Sequence, residues 1–293
     1  MRAFQISFFL TLAGAGTVVS YACTRPDPEV DVSLDVSLRD GPYEVYYEDG
    51  QLEEKGAYKG GERDGSYESY HQNGQPRIKA VYKGGERDGP YEVYNENGRL
   101  TEQMIYKGGV ADGPFERFYG NGQLWITTNY KNGQKHGKDL GWYENGKLQY
   151  KFQFKNGLAD GKQTDWYENG KLKTRGHFDN GKMHGKQGSW YINGKRKKEH
   201  TYRSDEIHGK QSEWYENGQM SFESNYTNHL RDGAWTSWYE NGQKNSEGNY
   251  KDGKFDGSET VWHKNGQKYR ESKFEGGKLI SEKQWNEDGS VKD

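Results

Sequence analysis

Apolar and polar positions alternate along this chain in short runs, and the runs recur every 24 residues. Glycines mark the period. One series runs from Gly41 through Gly65 and Gly89 to Gly257, and a second from Gly50 through Gly74 and Gly98 to Gly266. Ten units fit without an insertion, and an eleventh, broken unit ("QWNEDGSVKD") closes the chain. We count the first glycine of each unit as position 0. Position 5 is then aromatic throughout: Tyr46, Tyr70, Tyr94 and Phe118 in the first four units, and Trp142, Trp166, Trp190, Trp214, Trp238 and Trp262 in the last six. Position 17 is Tyr or Phe from Tyr58 to Phe274. Position 11 is often Leu, and position 15 is usually small, as at Gly56, Ala80 and Gly176.

Strand side chains alternate faces, so residues two apart share a side. Positions 5, 11, 15 and 17 are all odd, which predicts an aromatic, Leu, small, aromatic face. In the recurring "WYENGK" the Trp would then point inward and the following Tyr outward, unless a bulge near the turn shifts the phase. The Asn-Gly or Asp-Gly pair at positions 8 and 9 predicts a type I′ hairpin turn, which needs positive φ at both residues. The second turn ("KGGERDG", "KNGQKHG") reads as longer and Gly-rich. A unit this short cannot bury its apolar side alone, and stacked units can. The predicted fold is all-β: an elongated repeat solenoid of antiparallel β-hairpins of about ten units, spanning residues 41–293, with the broken last unit as a cap.

Composition supports a repetitive scaffold over one compact core. Only 30% of residues are hydrophobic, yet 15% are aromatic, and there are 41 glycines. Mean hydropathy is −1.28. Disordered chains are also polar, but they are poor in aromatics. The formal net charge of −2 does not suit a general polyanion binder, and no nucleic-acid partner is expected.

The first residues, "MRAFQISFFLTLAGAGTVVSYAC", carry Arg2, an apolar stretch from about Phe4 to Val19, and small residues at Ser20 and Ala22. This predicts an export signal over residues 1–22. Cys23 is the single cysteine, so no internal disulfide can form. It stands where a bacterial lipoprotein signal places its lipidated cysteine, although Ser20 and Tyr21 depart from that pattern. Cys23 is the expected lipidation site, and acyl chains there would hold the chain on a membrane. Residues 23–40, Pro-containing and acidic, read as a tether.

The grammar Tyr-Glu-Asn-Gly-Gln/Lys-Leu, then Tyr-Lys-x-Gly-x-x-x-Gly, resembles the variant MORN repeat (membrane occupation and recognition nexus) of bacterial proteins. The resemblance covers residues 41–293. It implies a scaffold or binding module, and some members of the family are classed as antitoxin-like or immunity-type proteins. The glycines and paired aromatics are also similar to the choline-binding repeats of surface proteins.

Catalysis needs residues unique to one place, whereas a repeat offers the same residues many times. No enzyme activity, cofactor or metal is expected. His136, His184 and His208 read as polar turn residues, and no His/Cys/Asp/Glu set has zinc spacing. Two features remain for binding. The first is the row of outward tyrosines at position 6, among them Tyr119, Tyr143, Tyr167, Tyr191, Tyr215 and Tyr239. They either dock a partner or stiffen the sheet by cross-strand packing. The second is the basic run 171–198, with Lys171, Lys173, Arg175, Lys195, Arg196, Lys197 and Lys198 as its contact candidates. Several of these are two apart, hence expected on one strand face. The expected function is a non-enzymatic interaction module on the bacterial envelope, exported and lipid-anchored, with a periplasmic or secreted protein as the alternative. Its partner would be a protein, an envelope protein or a toxin, with anionic lipid or a glycan as further possibilities. The alternatives are an antitoxin acting by binding and a cell-wall or glycan binder.

Overall fold

The computed structural model describes residues 40–292. The export signal, Cys23 and the tether up to residue 39 lie outside the described residues. The rest is all-β, with 27 strands in one sheet. All the strand pairings are antiparallel and join neighbours in sequence, as predicted from the period. Each unit supplies a first strand over positions 0–5, such as Gly137–Trp142, and a second over positions 11–18, such as Leu148–Lys155. The second strand also pairs with the first strand of the next unit.

The two turns exchange the roles expected of them. At positions 19 and 20 both residues take positive φ, as at Asn132 (49°) and Gly133 (75°), which is the type I′ signature in a two-residue connection. At the "YENG" turn only the glycine does, as at Gly146 (78°), while Asn145 does not. This turn is a three-residue loop: the Tyr143 carbonyl accepts from the Gly146 N–H at 2.9 Å. The Asn145 side chain stays useful, accepting from the Lys147 N–H at 3.0 Å. In the next units Asn169 and Asn193 also donate across to the carbonyls of Ile192 and Glu216, both at 3.0 Å.

A bulge corrects the predicted phase. In every unit the register shifts between positions 4 and 5: Gly141 pairs with Tyr150, but Trp142 pairs with Leu148. Position 12 is the extra residue, and it reverses the alternation. Positions 5 and 11 therefore share one side, and positions 15 and 17 lie on the other. The position-6 tyrosines sit with positions 15 and 17. We call these the tryptophan face and the tyrosine face.

The tyrosine face holds most of the buried side chains, while Thr164 and Ser212 are buried at position 3 of the tryptophan face. In units 2 to 4 positions 2 and 17 pair as rings at right angles: Tyr67 with Tyr82 at 5.7 Å, Tyr91 with Tyr106 at 5.8 Å and Phe115 with Tyr130 at 6.2 Å, whereas in unit 1 Tyr43 and Tyr58 lie tilted by 34° at 4.8 Å. The Arg63 and Arg87 guanidinium groups lie over these rings at 4.5 and 4.3 Å. Position 15 is small for the reason expected, to leave room. A Cβ on Gly56 would stand 3.0 Å from the Tyr43 ring, and one on Gly248 would stand 2.9 Å from Trp235. From unit 5 to unit 8 position 2 turns polar, as Asp139, Gln163, Gln187 and Gln211. Asp139 is 2% exposed and is held by Lys135 at 2.5 Å and by the Tyr150 hydroxyl at 3.2 Å. Gln163 donates to the Gln153 carbonyl at 2.8 Å.

Candidate functional site

The position-6 tyrosines are half-buried and their hydroxyls are committed. Tyr143 donates to the Trp166 carbonyl at 2.7 Å, Tyr167 to Trp190 and Tyr191 to Trp214 at 2.8 Å, Tyr215 to Trp238 at 2.7 Å and Tyr239 to Trp262 at 2.8 Å. Tyr119 repeats the bond with Trp142. His71 substitutes with a 2.9 Å contact to the Tyr94 carbonyl. Each bond ties one unit to the next. Burial raises the phenols of Tyr143, Tyr167 and Tyr191 above their ordinary range, in keeping with hydroxyls that stay protonated and donate.

The basic run 171–198 is divided between the faces rather than gathered on one. Lys173 and Lys197 occupy the bulge position and lie over the Tyr167 and Tyr191 rings at 5.9 and 5.4 Å, on the tyrosine face. Arg175 is two residues from Lys173, yet it lies over Trp190 at 5.7 Å, on the tryptophan face. Arg196 joins it there, paired with Glu199 at 2.7 Å and over Trp214 at 5.9 Å. Lys198 pairs with Glu213 at 2.9 Å on the tyrosine face. His200 also contacts Glu213, at 3.2 Å. His200 first, then Lys198, hold the Glu213 carboxyl down to about 2. Lys171 and Lys195 sit in turns and donate to the carbonyls of Asn193 (2.6 Å) and Asn217.

The tryptophan face is organised by a row of directly opposed residues, positions 3 and 14, that crosses all ten units. Its first part alternates charge: Glu44, Lys55, Glu68, Lys79 and Glu92 face one another in turn. Here position 5 is Tyr, and its hydroxyl binds the acid two residues back, as Tyr70 does to Glu68 at 2.5 Å and Tyr94 to Glu92 at 2.6 Å. Burial, then Glu92, pushes the Tyr94 phenol up to about 12. Position 1 is Pro or Ser here. Two depressions of about 570 and 220 Å³ open beside Pro42 and Pro90, edged by Glu44 and Glu68 and by Glu92 and Glu116.

The middle of the row changes character. It reads Leu140, Lys151, Thr164, Arg175, Gly188, each opposite the next. Position 5 is now Trp, and in unit 7 its ring lies over a glycine at position 3. A Cβ on Gly188 would stand 2.6 Å from the Trp190 ring. The indole N–H groups of Trp142, Trp166 and Trp190 make no hydrogen bond among the described residues. Position 1 becomes Lys in units 5 to 8. In units 7 and 8 this lysine meets an acid at position 14: Lys186 with Glu199 at 3.1 Å and Lys210 with Glu223 at 2.8 Å. In units 5 and 6 position 14 is Lys151 or Arg175, so Lys138 and Lys162 face further cations. These four are exposed and form no ion pair among the described residues. Sequence reading found only Arg175 of the four. They lie 13, 11 and 13 residues apart, so only a comparison by column and face brings them together.

Among the described residues no group of three or more His, Cys, Asp or Glu side chains could hold a metal ion. No described helix is long and apolar enough to cross a membrane.

A model of the MORN repeat variant matches residues 39–59, 63–83, 87–107, 111–132, 135–156, 159–180, 207–228 and 231–252. It passes over residues 181–206, yet Gly185–Trp190 and Arg196–Arg203 form the same hairpin there. No curated protein matches. Among solved structures, those titled "Crystal Structure of TcdB2-TccC3" and "Crystal Structure of TcdB2-TccC3-Cdc42" are similar at 11% and 10% identity, with TM-scores of 0.21 and 0.18. The alignments cover 85% and 82% of this chain, which spans 17% of the length of those chains.

Proposed function

This chain belongs to the MORN repeat variant family, whose repeats point to a binding module, and from that membership we propose a non-enzymatic interaction protein of the bacterial envelope. It is exported by residues 1–22, anchored through Cys23, and presents its sheet to a protein partner. One observation carries the choice of surface. The tyrosine face spends its hydroxyls and rings on holding units together, whereas the tryptophan face keeps half-buried indoles with unused N–H groups. Tryptophan and arginine are the side chains that anchor interfaces, and a tryptophan ring offers large contact area at little entropic cost.

Affinity capture of the full chain from native envelope, followed by mass spectrometry, tests this reading. A protein retained by the native chain and lost on Trp166→Ser is expected, since that change removes a ring from the tryptophan face. Recovery of a toxin would redirect the reading to an antitoxin. Retention of purified envelope polysaccharide in place of any protein would redirect it to a glycan binder. For the anchor, Cys23→Ala should release the chain from the membrane fraction, and unchanged fractionation would contradict anchoring.

A further inference from the structure

We propose that Lys138, Lys151, Lys162 and Arg175 form a docking site for an acidic peptide segment of a partner protein, with Trp166 and Trp190 as its aromatic floor. The proposal rests on the reading of the tryptophan face as a binding surface and names the site and its ligand class. Four successive units carry Lys at position 1, and the second pair of units supplies the matching acid at position 14, at 3.1 and 2.8 Å. The first pair places a second cation in that column instead. Positions 1 and 14 are diagonal neighbours across one strand pair, within reach of long side chains. Four like charges therefore stand on one flat patch without internal compensation. Such a patch is completed by an anion from outside.

The borders of the patch decide what kind of anion fits. Within units 5 and 6 the rows through positions 1, 3, 14 and 16 contain no acid. The other members are Leu140, Gln153, Thr164 and His177. At the strand ends Asp179 stands opposite Lys182, and Lys155 opposite Leu158. Along the array, however, the row meets Glu116 on one side and Glu199 on the other. A membrane surface or a long polyanion laid across the face would press against those carboxylates. A short acidic segment would not. Units repeat every two strand spacings, roughly 9.6 Å, which is about three residues of extended chain. A peptide in the polyproline II conformation turns once in three residues, so carboxylates at every third residue share one side, roughly 9.3 Å apart, and would meet Lys138 and Lys162, or Lys151 and Arg175, in step. The Trp190 ring, lying over Gly188 beside the Arg175 guanidinium, offers a flat contact for the residues between.

The probe is a fluorescein-labelled peptide of four Glu-Gly-Ser triplets, titrated with the full chain at low salt. Binding that weakens with added salt is expected, since exposed charges are screened over about 8 Å at physiological ionic strength. The double variant Lys151→Glu with Arg175→Glu should weaken binding by roughly tenfold or more, because like charges now oppose the peptide. These changes install the acid that units 7 and 8 already carry, so the sheet should be kept. The pair Lys173→Glu with Lys197→Glu alters the same net charge on the opposite face and should leave affinity within about twofold. Equal losses in both double variants, or no loss in the first, would overturn the site. Tighter binding of phosphatidylglycerol vesicles or of oligo-dT at the same four residues would overturn the ligand class. If the peptide fails while envelope capture of the native chain persists, this site is wrong and the binding-module reading stands.

Discussion

Units 5 and 6 share a lysine at position 1 with units 7 and 8, and differ from them in the sign of one side chain across the hairpin. In units 7 and 8 the lysines reach Glu199 and Glu223. In units 5 and 6 Lys151 and Arg175 stand in the acid's place. The backbone is the same in both pairs, down to the bulge at position 12. A repeat holds its fold through the columns that never vary, so a column that changes sign without altering the fold is free to serve another end. The tyrosine face gives a second contrast. Units 1 to 4 place aromatic rings at position 2, and units 5 to 8 place amides or a carboxylate there.

That second contrast yields the largest expected effect. Tyr67 is 7% exposed, packs against Tyr82, and donates to Glu54 at 2.7 Å. Tyr67→Ala should cost about 3–5 kcal/mol in urea unfolding, by analogy with other buried aromatics. Gln187→Ala, at the same position in unit 7, removes one amide that bonds the His177 carbonyl at 2.8 Å and should cost only about 1 kcal/mol. Equal costs would break the contrast. Next comes Gly188→Val, which drives two methyl groups into the Trp190 ring. A loss of about 1–3 kcal/mol is expected, read in the same assay, together with a change in tryptophan fluorescence. Tyr167→Phe removes one inter-unit bond and should cost about 0.5–1.5 kcal/mol, while leaving partner binding unchanged.

A further effect depends on pH. Glu213 has its carboxyl held down to about 2 by His200 and Lys198, from an ordinary 4.5. A depressed acid contributes stability that is present above the unfolded value and lost as pH falls through the folded value. Native chain should therefore lose unfolding midpoint between about pH 4.5 and 2 faster than Glu213→Gln does. Parallel curves over that window would rule out the contribution.

The period, the strands and the position of both turns were legible, because glycine at positive φ and a fixed 24-residue spacing leave plain marks. Which side each aromatic faced was not. The bulge falls on Glu53, Arg77, Thr101, Trp125, Gln149 and Lys173 in successive units, and no residue type signals it. Counting parity across it misplaces Trp142 relative to Phe154 and hides the commitment of Tyr143. The same error made the run from Lys171 to Lys198 look like one surface. Lys173 is itself the bulge residue, and it parts from Arg175 to the opposite face. The Asn-Gly pair misled for a different reason. Its Asn serves a three-residue loop through the side chain, and the type I′ geometry belongs to the later Asn132-Gly133 pair.

Units 5 and 6 carry positive charge that no acid on their face compensates, and the thermal midpoint of the Lys151→Glu, Arg175→Glu variant tests this most directly. Installing the acids that units 7 and 8 carry should raise the midpoint by about 1–3 °C at low salt, and added salt should shrink the gain. A lower midpoint, or a gain indifferent to salt, would contradict it.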